Sequence, residues 1–375
     1  MNPMGTYKYF KAWLGATPTL QNYVHTPHNN FLFVRMLAAS MVVYAHSFSL
    51  SKYPGLIRDP LKDFWWLAHT GTIAVAMFFV TSGYLVTASY LNRNSIIEFS
   101  KSRILRIFPA LILCVSLMVL LVGPLFTSLP LDQYFHEPDL WRYFKANIAL
   151  VHVRFLLPGV FENNPHPSLN GPLWTLPAEV RMYLWVGILG VVGILKQRWL
   201  ANLVIPTLIL IGVVYPDHLP LVADNKRYFQ LAAMFACGGW VYLNRHWIPV
   251  SNMLLAVLIA LAALTWHHPV YHITLWLAIA YATLWLAYVP NLHWYNRFGD
   301  YSYGMYIYAW PCQNSLKALF PDIHPMIMLP VAWCMALGFA VLSWHLVEKP
   351  ALSLKKRALV SGLRLWWQRR LGVPH

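Results

Sequence analysis

The sequence is short of charge. Only 11% of its 375 residues are Asp, Glu, Lys or Arg, where a soluble domain carries about a quarter. That depletion argues against a water-soluble enzyme. It also removes the nucleic-acid partner that a formal net charge of +15 would otherwise suggest. Cysteine is scarce as well. Cys114, Cys237, Cys312 and Cys334 each lie inside an apolar run with no CxxC spacing, so they read as small buried hydrophobes and not as disulfides or metal ligands. There is no HExxH, no Gly-rich phosphate loop and no GxSxG, so the common motifs for zinc proteolysis, nucleotide cleavage and serine hydrolysis are missing. HHPVYH offers His267, His268 and His272, but Pro269 disrupts a regular helical pairing of them. No metal is expected. Residues 1–30 lack a compact apolar core followed by a small-residue cleavage site, and the first apolar span is expected to serve as the anchor.

Long apolar runs are what the sequence has in abundance. Hydrophobic residues make up 58% of it, in repeated runs of roughly 17 to 25, each enough to cross a hydrocarbon core of about 30 Å. The pattern predicts an all-α integral membrane protein: a bundle of about ten transmembrane helices with an internal polar cavity. The spans fall near 31–50, 70–91, 107–127, 172–194, 201–216, 228–244, 251–267, 271–289, 301–318 and 327–347. One membrane domain, 31–348, is expected between a cytoplasmic N-terminal segment 1–30 and a tail 349–375. The longest segment between spans, 128–171, is expected to cap an outward-facing cavity.

Charge placement orients the bundle. With these spans, 17 of the 28 Lys and Arg fall on the side holding both termini and nine on the other, Arg35 and Arg181 being inside spans. Only Glu98, Asp300 and Glu348 are acidic on the basic side. The positive-inside rule then places both termini in the cytoplasm. The tail LKKRALVSGLRLWWQRRLG mixes basic residues with Leu and Trp. It reads either as an amphipathic helix on the inner membrane surface or as a stop-transfer charge cluster.

Polar residues inside the spans are costly and carry the functional signal. In FLFVRMLAASMVVYAHSF, Arg35 and His46 are eleven residues apart. At about 100° per residue they return to within about 20° of one face, roughly 16 Å apart along the axis. Snorkelling or an interfacial role would explain either one alone; a shared face points to a polar cavity. Glu179 in the fourth span lies level with His46 and needs a partner. A Glu179–His46 pair would fix the imidazole as a general base, and a purely structural pairing of Glu179 is the alternative. Ser82 and Gly83 in FFVTSGYL leave a small surface that either a neighbouring helix or a thin ligand chain could use. In KSRILRIFP, Arg103 and Arg106 share one helical face, which suits either a phosphate clamp or a simple topology signal.

Taken in order, these segments resemble the bacterial acyltransferase-3 family of integral-membrane O-acyltransferases, from Asn30 to Pro350. Arg35 and His46 match its Arg/Lys-x10-His signature. MFFVTSGYLVTAS, KSRILRIFP, NGPLWTLPAEVRMYL, YSYGMYIYAWP and HLVEKP are similar to its FFxxSGFL, RRxxRIxP, GxLWxLxxE, SYxxYLxHxP and VExP segments. Ser102 replaces one basic residue of the loop motif, and Ala309 stands where many members carry His.

The resemblance implies transfer of acetyl from cytoplasmic acetyl-CoA to a hydroxyl of a glycan or lipid-linked glycan, in the bacterial inner membrane among lipids and glycan-biosynthesis partners. Under it, Arg103 and Arg106 would hold the donor's phosphates. Arg35 would act with the catalytic pair by stabilising the CoA, or would line its tunnel, with Ser82 and Gly83 letting pantetheine past. His46 would be base or acyl carrier, and Glu179 its orienting group. Asn170, Trp174 and Tyr306 would lie on the substrate side. The rival reading is a proton-coupled transporter or flippase using His46 and Glu179 as a relay, which lacks visible inverted repeats.

Overall fold

The computed structural model describes residues 18–24, 26, 28–53, 59, 69–215 and 226–354. The N-terminal segment before residue 18 and the tail beyond residue 354 lie outside these. Among the described residues the regular structure is helical, joined by irregular segments such as 151–170, with two isolated bridges, Thr19 to Pro249 and Thr127 to Val160, and no strand. Eleven helices of twelve or more residues are numbered here in chain order. They are α1 (Phe31–Ser51), α2 (Thr70–Arg93), α3 (Ile96–Leu117), α4 (Pro138–Ala149), α5 (Leu176–Val191), α6 (Arg198–Val214), α7 (Lys226–Leu243), α8 (Asn252–Leu264), α9 (Tyr271–Tyr288), α10 (Ser302–Leu319) and α11 (Pro325–Ser343). α3 continues through a π-helical turn, Met118–Val122, to Phe126, and α11 through a second one, Trp344–Glu348, to Ser353. With those extensions, α1, α2, α3 and α11 are long and apolar enough to cross a membrane.

Local chemistry sets the helix boundaries. Ser95 and Ser251 cap α3 and α8 by accepting from Glu98 N and Leu254 N, and His69 caps α2 by accepting from Gly71 N. Asn30, at the start of α1, donates instead to the Leu286 and Pro290 carbonyls at the end of α9. The π turn in α3 disturbs the i→i−4 ladder. The Tyr134 hydroxyl donates to the Val119 carbonyl there, at 2.8 Å, from a short helix in the 128–171 segment. That segment is therefore pinned to the bundle.

α10 is the central helix. Every residue from Ser302 to Asn314 is buried, then Leu316 and Lys317. It carries Tyr, Gln and Asn side chains that find partners in the protein, which explains its lower hydropathy. α1 lies beside it in the same direction: Arg35 meets Asp300 just before α10 begins, Gln313 donates to Val43 O and Ser47 Oγ at 2.8 Å each, and Lys317 reaches the Ser51 carbonyl. α2 and α5 run the opposite way. α2 and α7 make a glycine-lined contact in which a Cβ on Gly83 would stand 1.9 Å from Phe235 O, and one on Gly238 2.1 Å from Val80 O. Only residues without side chains allow backbones so close.

Candidate active site

Two pockets lie against α10, one toward each end. The first, about 480 Å³, is lined by Arg35, Ser82, Arg103, Arg106, Glu179 and Asp300 among others. The second, about 430 Å³, is lined by His46, His69, Trp174, Gln230 and Trp276 among others. Val75 and Tyr306 belong to both walls. Arg35 and His46 thus sit on one side of α1, each in its own pocket.

At the Arg35 end, Asp300 is the hub. Its Oδ2 accepts from Arg35 at 2.5 Å and from Arg106 at 2.7 Å, and its Oδ1 accepts from Ser302 Oγ at 2.6 Å. Arg106 also lies 3.7 Å from Glu348, itself 2% exposed. Burial alone would raise the Asp300 carboxyl, but Arg106 and Arg35 overcome that and bring it down to about 2. Arg103 differs from both of these arginines. Its guanidinium lies over the Phe99 and Tyr183 rings, 5.9 and 5.5 Å from their centroids, and its Nε donates to Ser102 Oγ. Arg103 has no salt bridge among the described residues, so it faces the pocket as an available cation.

Glu179 also belongs to this pocket. Its Oε1 accepts from Tyr183 OH at 2.5 Å, one helical turn along α5, and from Ser82 Oγ at 3.1 Å. The expected Glu179–His46 pair does not form. Matching depth on two helices leaves the direction around each axis open, and Glu179 turns toward α2. Gly83 needs a second correction: α7 occupies its open side, so no ligand chain passes it. Asn170 is fully buried, donating to Ile307 O at 2.8 Å; it anchors the 128–171 segment and lines neither of these two pockets.

At the His46 end the imidazole stands edge-on to Trp310, with ring centroids 4.7 Å apart. Its Nδ1 is buried without a hydrogen-bond partner among the described residues. His69 shares this pocket, its Nε2 4.0 Å from Asp59 Oδ2. Trp174 stacks on Tyr228 with planes 3° apart. Tyr306, between the pockets, is fixed by Thr175 Oγ1 at 2.7 Å and donates to Pro172 O at 3.0 Å. The 128–171 segment packs against α10 at the His46 end, where Trp310 Nε1 donates to Ser168 O at 2.8 Å. Among the described residues no three His, Cys, Asp or Glu side chains gather as a metal site, His267, His268 and His272 included.

The sequence reading missed Asp300, Tyr183 and His69. Signals for two of them existed. Asp300 and Glu348 are two of the three acids on the basic side, and Tyr183 follows Glu179 by the four residues that share a helix face. His69 had none, because its position depends on tertiary packing alone.

This arrangement places a pocket lined by three arginines at one end and an imidazole with one buried nitrogen in a second pocket at the other. The chain belongs to the acyltransferase-3 family, whose Acyltransferase domain model matches residues 29–347. An "O-acetyl transferase" of Shigella phage Sf6 is 30% identical over 335 residues, covering 87% of this chain and 96% of that protein. "Nodulation protein 10" of Rhizobium leguminosarum bv. viciae is 28% identical over 362 residues, covering 87% and 94%. No solved structure matches. The protein is a membrane-bound O-acyltransferase.

Proposed function

We propose that the protein transfers acetyl from cytoplasmic acetyl-CoA to a hydroxyl of a cell-envelope or exported glycan. In this reading the chain crosses the bacterial inner membrane ten times, through α1–α3 and α5–α11, with both termini in the cytoplasm and the His46 end facing outward. The observation that carries it is the pair of pockets meeting at Val75 and Tyr306. Donor and acceptor can then approach from opposite faces and meet between them.

The residues fit such a donor. Arg103, free of any carboxylate among the described residues, is suited to a phosphate. Arg35 and Arg106 add positive potential, and Asp300 keeps both oriented. Ser82 lines the pocket wall and Glu179 holds Tyr183 under Arg103. The donor supplies an activated thioester when bound. His46 then takes the proton from the acceptor hydroxyl as its oxygen bonds to the acyl carbon. As the carbon–sulfur bond breaks, His46 returns that proton to the departing sulfur. General-base assistance of this kind contributes about 10²- to 10⁴-fold. The transporter reading loses its relay, since Glu179 and His46 face different pockets.

Glycan mass spectrometry of a strain with and without the protein tests the proposal. The expected result is a gain of acetyl mass that disappears in His46→Ala and persists in His272→Ala. No acyl change on any envelope glycan, with a transport defect in its place, would overturn it.

A further inference from the structure

A third pocket, about 300 Å³, takes no part in the transfer described above. Thr127, Ser128, Phe161, Glu162, Asn163 and Lys317 line it with others. It lies toward the His46 end: Lys317 follows Trp310 by seven residues on α10, about two turns and roughly 10 Å farther along the axis.

The walls of this pocket are built, not casual. Lys317 is 8% exposed, and its ammonium donates to the Ser51 and Pro321 carbonyls, which tie it to the end of α1. Ser128 N donates to Gly159 O at 2.9 Å and Thr127 Oγ1 to Pro158 O at 3.0 Å. Asn164 donates to Asn314 O at 2.9 Å, and Asn314 donates in turn to Ser168 O at 2.7 Å. Between these ties Phe161 is held at φ 58°, in the left-handed region, with its ring buried against Phe126 at 5.0 Å between centroids. A bulky residue there is a genuine outlier, and such strain gathers at ligand clamps.

The lining chemistry narrows the ligand. Glu162 offers a carboxylate, already accepting from Ser128 Oγ at 2.8 Å. Asn163 offers a carboxamide, Lys317 an ammonium, and Phe161 and Phe126 an apolar wall. A lipid tail would take water from Glu162 and Lys317 and offer neither a further polar contact, and a polyanion would meet Glu162. A ring carrying several hydroxyls on an apolar face satisfies all of them. We propose that this pocket is a saccharide subsite, holding a sugar of the acceptor chain next to, and not bearing, the hydroxyl acylated at His46. The proposal rests on the reading that the acceptor is a glycan approaching the His46 end.

The test uses the full-length protein in lipid nanodiscs with radiolabelled acetyl-CoA. One acceptor set is a panel of methyl glycosides of hexoses and deoxyhexoses; the other is envelope oligosaccharide from the host strain. Glu162 and Asn163 are exposed, so Glu162→Ala and Asn163→Trp should keep the melting temperature. Each is expected to raise KM for the oligosaccharide at least fivefold at constant kcat, and to leave the methyl glycosides unchanged. An unchanged oligosaccharide KM, or an equal rise for both acceptor classes, overturns the subsite. If the unsubstituted protein binds acetyl-CoA but acetylates neither acceptor, the glycan reading fails and takes the subsite with it.

Discussion

At the Arg35 end, two arginines converge on one carboxylate and a third lies over aromatic rings. At the His46 end, an imidazole touches a tryptophan edge and leaves one buried nitrogen without a partner. The first pocket is held by ion pairs and hydrogen bonds, the second mainly by packing. Under the proposed function, the contrast follows from what each end would handle. A site that receives a highly charged ligand needs permanent cations, and cations buried without acids are costly. Asp300 holds Arg35 and Arg106 in place and Glu348 adds a second acid beside Arg106, which would leave Arg103 open to the ligand. A base needs the reverse condition, a nitrogen that no internal donor occupies.

Substitutions can separate these two designs. The largest effect is expected at Arg106. Removing it leaves Glu348 without a cation and Asp300 with Arg35 alone, and loss of one partner from a buried pair costs about 3–5 kcal/mol, read as a large drop in melting temperature. Arg103→Ala should leave the melt nearly unchanged and weaken acetyl-CoA binding roughly 10- to 100-fold, the loss of a charge-assisted hydrogen bond of about 1.5–3 kcal/mol. Equal destabilisation by both would erase the division between structural and ligand-facing arginines.

Gly83→Ala comes next. The new methyl would meet the Phe235 carbonyl and force α2 from α7, at about 1–3 kcal/mol of stability. Acetyl-CoA affinity should be retained in the fraction that stays folded, and a selective loss of affinity would return Gly83 to the ligand path.

Acid titration probes the Asp300 hub itself. Its folded carboxyl titrates at about 2, below the usual 3.8, so the stabilisation is complete above pH 4 and is lost as pH falls toward 2. Asp300→Asn should abolish that acid limb of the melting profile. An unchanged limb would show that another carboxylate carries it. The smallest effect belongs to Glu179→Gln, which keeps an oxygen to accept from Tyr183 and Ser82 and should lower transfer only about threefold, the loss of some 0.6 kcal/mol of hydrogen-bond strength. A loss as large as that of His46→Ala would restore Glu179 to the proton-transfer step.

The long apolar helices were legible in the sequence, because an apolar run of sufficient length has few alternatives to a helix in lipid, whereas α4, inside the 128–171 segment, was not. Arg35 and His46 were legible for the same reason: polar residues stand out there, and the eleven-residue spacing fixes their relative direction. Partners were not legible. Glu179 could be given a depth but not a direction, so Tyr183 and Ser82 were passed over for His46. Arg106 looked equivalent to Arg103 because the two acids that Arg106 meets lie some 190 and 240 residues later in the chain. Gly83 was ambiguous until Gly238 of α7 appeared opposite it.

The fastening of α1 to α10 at both ends and the middle has one more consequence. Arg35–Asp300, Gln313 with Val43 and Ser47, and Lys317 with the Ser51 carbonyl act like rivets along a beam. Helices joined at three levels resist the rocking by which carriers expose a site first to one face and then to the other. Under the proposed function, a protein built this way would handle cargo by relaying it hand to hand across a standing partition, so the acyl group could cross while neither of its two carriers has to.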